Sequence, residues 1–224
     1  MISVVIPTLN AGKSLVESLN CLVKSRKVGL ISDVLISDGG SEDDTCAVAE
    51  ERGVRVVSGA RGRGGQLKAG AAAAQADWFL FLHADTVLQP GWEEEVHAFV
   101  DAADSQAAAF KFKLADDTPM AKALEKIVQL RCWLFALPYG DQGLLISRAL
   151  YEEIGGFADI PLMEDVDIVS RIGRRRLHFF NSAAITSAAR YQREGYVKRM
   201  MRNATCLSLW YCGVSPERIV RLYQ

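Results

Sequence analysis

The sequence predicts a single α/β domain, with a mainly parallel central sheet and helices on both faces. Four short apolar runs in the first half alternate with longer segments of helical spacing, the pattern that βαβ units leave in a chain. Those runs are apolar almost without alternation, as strands covered on both faces must be. The length of 224 residues suits one ordinary domain, and 50% hydrophobic with 24% charged residues is the balance of a chain with a full core.

Each element has its own signal. The first strand is ISVVIPT (2–8), β-branched and closed by Pro7, and a helix follows over 13–25. DVLISDG (33–39) is the second strand, ended by an Asp-Gly pair. SEDDTCAVAEER (41–52) is the second helix, with Ser41 and Asp44 as its capping pair. VRVVSG (54–59), GGQLKAGAAAAQA (64–76) and DWFLFLHAD (77–85) supply the third strand, third helix and fourth strand, joined by right-handed crossovers. Beyond them, QAAAFKFKL (106–114) reads as a strand. AKALEKIVQLRCWLFAL (121–137) reads as a helix with Leu124, Ile127, Val128, Leu130, Trp133 and Leu134 on overlapping faces. YGDQGLLISRALYEEIGGF reads as a Gly-punctuated loop, PLMEDVDIVSRIGRRR as an acid-led helix, and 193–210 as a final amphipathic helix.

The net charge of −1 gives no sign of a nucleic-acid binder, yet it is unevenly spread. Arg171–Gln224 holds eleven Lys or Arg against two acids, a charge of +9, which leaves −10 for Met1–Ser170. Such a basic tail is either a solvated helical face or a surface for phosphates or an anionic membrane. Likewise the stretch IVQLRCWLFALPYG and the tail either pack on each other as core and surface or form a platform at the inner face of a membrane. The five cysteines have no ligand-like spacing, which argues against a disulfide framework and a zinc site and favours a reducing compartment. No run of about 18 apolar residues occurs, and the N-terminus lacks a signal pattern, so the expected location is cytoplasmic.

In a parallel α/β sheet, ligands bind beyond the carboxyl ends of the strands. Thr8, Asn10, Asp38 and the His83–Asp85 pair share that rim. Asp38, in SDGGS, either accepts hydrogen bonds from a nucleobase or ribose or simply closes a βα turn. ARGRGGQLKAG (60–70) sets Arg61, Arg63 and Lys68 at a helix start, where backbone N–H groups and the dipole suit a diphosphate. It is neither a Walker loop nor a dinucleotide fingerprint. Asp85, in HADT, is a hard-oxygen ligand for magnesium or manganese, with His83 as a second ligand or a structural neighbour. In PLMEDVDI, three acids open a helix; one or two match its dipole, and one facing a cleft can act as a general base.

Taken together in this order, the motifs resemble family 2 glycosyltransferases with the GT-A fold, a Rossmann-like architecture, over about residues 1–180. SVVIPTLN, SDGGSEDDT, ARGRGGQLKAGAAAA, FLFLHADT, GDQGLLISRALYEEIGGF and MEDVDI carry the likeness. The chain is most similar to a bacterial subgroup bearing Gly-Arg-x-x-Gln, His-Ala-Asp-Thr and Gly-Asp-Gln-Gly, some members of which are associated with arsenosugar biosynthesis. The resemblance implies inverting, metal-assisted transfer of a sugar from a nucleoside-diphosphate sugar, UDP-linked, to a hydroxyl acceptor. It implies that Pro7, Thr8 and Asn10 line the uridine pocket and that Asp38 holds the base. Arg61 and Lys68 then approach the diphosphate or ribose, and Asp85 with His83 holds magnesium or manganese. Asp165 is the base with Glu164 beside it, and Gln142 and Gly143 border the acceptor or sugar pocket. Residues 1–115 form the nucleotide-sugar half, and 116–224 the acceptor and catalytic half with its basic C-terminal helix. Two positions depart from the family: His83 stands for the first acid of Asp-x-Asp, and Gly39 for the second acid of Asp-Asp-Gly-Ser. A sugar-phosphate nucleotidyltransferase and an inactive nucleotide-sugar-binding protein are the alternatives.

Overall fold

A computed structural model describes residues 1–27, 29–59, 61–102 and 106–223. Ala60, the first residue of the basic loop, and Gln224, the last of the tail, lie outside the described residues. The elements run β1 (Ile2–Thr8), α1 (Gly12–Lys27), β2 (Ile31–Asp38), α2 (Thr45–Glu51), β3 (Arg55–Ser58), α3 (Arg63–Ala73), β4 (Trp78–Phe81), β5 (Thr86–Leu88), α4 (Trp92–Ala102) and β6 (Ala107–Leu114). They continue with α5 (Pro119–Phe135), β7 (Leu144–Ser147), α6 (Arg148–Glu153), α7 (Glu164–Ile172), β8 (Leu177–Thr186), α8 (Ala189–Glu194), α9 (Tyr196–Tyr211) and α10 (Pro216–Tyr223).

One eight-stranded sheet has the order β3-β2-β1-β4-β7-β6-β8-β5. β1 lies parallel to β2 and β4, and β2 to β3. β7 enters antiparallel between β4 and β6, β8 runs parallel to β6, and β5 closes the far edge antiparallel to β8. In β1 the side chains of Ile2, Val4 and Ile6 face α1 and α4, with Leu15, Leu19, Trp92 and Val96 buried on that side. Val5 faces the other way, onto Leu67 of α3 and the apolar stripe of α7. Helices therefore cover both faces, and this is why the first-half strands are apolar throughout. Fully buried side chains such as Phe79, Phe110 and Trp92 each contribute roughly 2–3 kcal/mol. A third cluster joins Phe112 and Leu114 of β6 to the inner face of α5 and to Tyr191, Tyr196 and Met200 of the tail.

Three expectations need correcting. The run 77–85 is not one strand: β4 stops at Phe81, and after the turn at His83–Asp85 the chain re-enters the sheet as β5, at its opposite edge. The ionisable turn thus links a central strand, β4, to the edge strand β5. The Gly-punctuated loop contains a strand, β7, and the unassigned stretch before the tail is β8. Finally, α2 starts at Thr45 without the Ser41–Asp44 cap. Ser41 spends its hydroxyl on Asp38, and Asp43 accepts the Thr45 N–H instead.

Candidate active site

The carboxyl ends of β1 and β2 are laced together. Thr8 Oγ1 donates to Asp38 Oδ1 at 2.9 Å, and Asp38 Oδ2 accepts the N–H groups of Gly40 and Ser41 at 2.9 and 2.8 Å. The Ser41 hydroxyl adds a fourth bond at 2.5 Å. Burial pushes the Asp38 carboxyl up, but the bonds from Ser41, Thr8 and Gly40 outweigh it and leave the group below the usual carboxylate range. Asp38 thus shapes its loop with all four bonds directed inward. Asn10, held with a left-handed φ of 53°, accepts the Glu42 N–H through its side chain and donates its own N–H to Ser41 Oγ.

The first turn of α3 joins this rim to the rest of the site. Gln66, 5% exposed, donates both amide protons, at 2.6 Å to Thr8 O and 2.8 Å to Ser37 O. It also fills the space beside Gly39, where a Cβ would lie 3.0 Å from Gln66 Nε2. Arg63 reaches the other way and pairs with Glu164 at 3.4 Å. Gly64 permits this because a Cβ there would fall 2.2 Å from Ala158 O, so only glycine lets α3 approach the loop before α7.

At the opposite wall, the turn Gly140–Gln142 brings a main-chain N–H to α7. Gly140 N donates to Asp165 Oδ2 at 2.8 Å, and a Cβ on Gly140 would lie 2.8 Å from His83 Nε2 and 3.5 Å from Asp165 Oδ2. His83, Gly140 and Asp165 thus meet around one backbone position. They line a pocket of about 410 Å³ of empty space, partly open to solvent, together with Leu67, Pro138, Tyr139, Gly143 and Glu164. Asp165 is partly exposed, whereas Glu164 is 1% exposed, and neither Glu164 oxygen has a hydrogen-bond partner among the described residues. Burial raises the Glu164 carboxyl, Arg63 opposes the rise and Asp165 adds to it. Burial, then the charges of Arg63 and Arg190, hold the His83 imidazole well below its usual range, so the ring is neutral at neutral pH. Asp141 is pushed up to about 6, chiefly by burial; Arg131 opposes this, and Asp165 and Asp85 add to it.

The structure distributes the expected site residues unevenly. It brings His83, Gly143, Glu164 and Asp165 to the pocket, and Pro7, Thr8, Asn10 and Asp38 to the neighbouring strand ends. Asp85 is partly exposed on the turn after β4 and takes no hydrogen bond or ion pair among the described residues. Three expectations change. Gln142 does not border the pocket: it is 2% exposed, donates to Phe110 O at 2.9 Å and accepts from Arg131 at 3.2 Å, so it braces the turn from behind. Lys68 lies on the exposed side of α3, more than a turn past its start, and Arg61 is exposed two residues before the helix. Arg63 is the cation of that loop that reaches the pocket wall. Glu164 is buried structure, and Asp165 is the acid open to solvent.

From sequence, Arg63 stood out only as one cation of the basic loop, and Gln66, Gly140 and Asp141 only as letters of the motifs, with no role of their own. Gln66 had a readable signal, because it is polar on the buried stripe that Leu67, Gly70 and Ala71 define. Asp141 had none, since its burial depends on elements far away in the chain. In the tail, Glu194 gathers Arg193, Arg199 and Arg202 at 3.4, 3.3 and 2.8 Å, and Arg199 stacks over Tyr223 at 4.3 Å, so much of the basic charge is spent internally.

A mixed α/β sheet with acids gathered beyond its strand ends places a ligand-binding rim there. The profile of glycosyl transferase family 2 matches residues 3–158, and the chain belongs to that family. No curated protein matches its sequence. Among solved structures, S. aureus TarS residues 1–349 in complex with UDP-GlcNAc is similar at a TM-score of 0.64 and 18% identity, over 83% of this chain and 58% of that one. Glucosyl-3-phosphoglycerate synthase from Mycobacterium tuberculosis, in complex with Mn2+, UDP-glucose and phosphoglyceric acid, is similar at 0.63 and 22%, over 96% and 80%. The chain thus spans 58% of the first of these structures. The likeness establishes the fold, which is GT-A. No helix among the described residues is long and apolar enough to cross a membrane.

Proposed function

We propose that the chain transfers a sugar from a nucleoside-diphosphate sugar, UDP-linked, to a hydroxyl acceptor, with inversion at the anomeric carbon. The observation that carries this reading is the convergence on one pocket of His83 after β4, Gly140 before β7 and Asp165 at the start of α7. Family membership and the nucleotide-sugar complexes of the two similar structures support it.

In this reading residues 1–115 supply the donor side and 116–224 the acceptor side. Pro7, Thr8, Asn10 and the loop shaped by Asp38 receive the nucleoside, and Arg61 before α3 and Lys68 on its solvent side attract the diphosphate at longer range. Asp165, its Oδ2 fixed by the Gly140 N–H, takes the proton from the acceptor hydroxyl. The freed oxygen forms its bond to the anomeric carbon as the bond to the diphosphate oxygen breaks. Gly143 borders the sugar, and buried Glu164, tied to Arg63, holds the start of α7 in place.

The residues present fit a divalent cation. Asp85 has a carboxylate without a protein partner among the described residues, and Asp141 Oδ1 is buried without one. No three His, Cys, Asp or Glu among the described residues form a closed cage. Magnesium or manganese at a phosphate-binding site takes only one or two protein carboxylates and completes its shell from phosphates and water, a role open to Asp85 and Asp141. Asp85, with neutral His83 beside it, would hold the ion, which when bound would offset charge on the departing diphosphate.

The test is release of nucleoside diphosphate from a panel of nucleotide sugars, with and without manganese. Asp165→Asn is expected to cut turnover about 10²–10⁴-fold while leaving the donor-induced thermal shift in place. Full turnover in that variant rejects the role of Asp165. Pyrophosphate release from a nucleoside triphosphate would indicate a nucleotidyltransferase, and neither product a binding protein.

A further inference from the structure

We infer that the C-terminal end of α5 is a docking face for an anionic lipid bilayer. Leu130, Trp133, Leu134 and Phe135 are 54, 68, 45 and 70% exposed, and Ile127 one turn earlier is 51% exposed. Single exposed apolar side chains are ordinary, but five large ones within two and a half turns of one helix form a patch. The other side of α5, Leu124, Val128 and Cys132, is already buried against β6 and the tail. The helix is thus apolar on both sides, although its own protein covers only one of them.

Charge selects the occupant. Lys122 and Lys126 are exposed on the same helix. Arg174 donates to Leu134 O at 2.9 Å and to Trp133 O at 3.0 Å, which pins the Arg174–Arg176 turn against the end of α5 and places exposed Arg175 next to the patch. The one acid of α5, Glu125, is turned inward and accepts the Leu114 N–H at 2.9 Å. Neither segment presents an exposed carboxylate. A second copy meeting this face about a twofold axis would set these cations against their own equivalents. An anionic headgroup layer attracts every one of them, and Trp133 and Phe135 suit the depth just beneath it. At 17 residues interrupted by lysines and an arginine, α5 lies along such a surface rather than through it.

The face is also tied to the pocket. Arg131 extends from α5 to Leu137 O at 2.9 Å and to Gln142 Oε1 at 3.2 Å, and its guanidinium stacks on Tyr139 at 3.5 Å. The pocket wall at Pro138–Gly140 begins three residues beyond Phe135.

Co-sedimentation of the full chain with vesicles tests the proposal. Binding is expected with phosphatidylcholine–phosphatidylglycerol vesicles and not with phosphatidylcholine alone, and it should weaken as salt is raised. The double change Leu130→Glu and Trp133→Glu should lower the affinity at least about tenfold, and Arg175→Gln about fivefold, as for one cation near an anionic surface. All three positions are exposed, so thermal unfolding should be unaffected. The inference is overturned by absence of binding at low salt or by equal binding of the variants. It is also overturned by a dimer in light scattering that the double change dissociates.

Discussion

Replacing Asp141 by asparagine measures what burying this carboxyl beside two other acids costs the fold. The side chain sits on the turn between α5 and β7, its Oδ1 is buried without a hydrogen-bond partner among the described residues, and two further acids, Asp165 and Asp85, act on it. Its folded value is displaced from 3.8 to about 6. At 1.36 kcal/mol per pH unit this corresponds to about 3 kcal/mol as a ceiling. The sign follows from linkage. The folded protein holds this proton to higher pH than the unfolded chain, so the stabilisation from the neutral acid is complete below about pH 3.8 and is lost as pH rises through about 6. Asparagine has no proton to lose. The variant should match the wild type near pH 4 and become more stable by up to about 3 kcal/mol above pH 6, a rise in Tm of roughly 6–12 °C for a chain of this size. Arg131 is not stranded by the change, because it keeps Leu137 O, Gln142 and the Tyr139 ring. Urea unfolding followed by circular dichroism at several pH values is the assay. Parallel stability curves, or an asparagine variant less stable at pH 7.5, would refute the reasoning.

Other consequences can be checked one residue at a time. Gly64→Ala should destabilise by about 3 kcal/mol or more in chemical unfolding, because the new methyl would meet a backbone oxygen of the neighbouring loop rather than a side chain able to move. Gln142→Leu strands the Phe110 carbonyl and removes an acceptor from Arg131, and should lower stability by roughly 1–3 kcal/mol by the same measurement. Gly140→Ala should reduce sugar-transfer turnover without lowering donor affinity in a thermal-shift titration, because its methyl would press on His83 and Asp165 rather than on the Thr8–Asp38 rim.

The first half of the fold was legible because strands buried on both faces announce themselves as apolar runs: ISVVIPT ends where β1 ends, and DVLISDG one residue past the end of β2. The second half was less so. β7 is four residues, LLIS, hidden among glycines, and β8 carries polar and small residues along a curled edge region, so neither shows a strand period. At the site, that Asp165 lies beside the cleft could be read from its position at a helix start. The duties of Asp38, Gln142 and Glu164 could not, because a polar residue beside a cleft looks the same in sequence whether it faces ligand or braces backbone. Arg63 and Lys68 differ only in helical phase, one toward the pocket wall and one toward water.

The insertion of β7 between β4 and β6 also governs how the chain must be assembled. While it emerges from the ribosome, the β3–β2–β1–β4 layer has, besides the β3 edge that stays open in the finished sheet, an open flank at Trp78–Phe81, whose complement lies more than sixty residues further on in Leu144–Ser147. Until that segment arrives, an aromatic edge with unpaired main-chain groups stands ready to join a neighbouring nascent chain. A fragment cut at residue 115 would keep that edge for good and should aggregate instead of folding as a module.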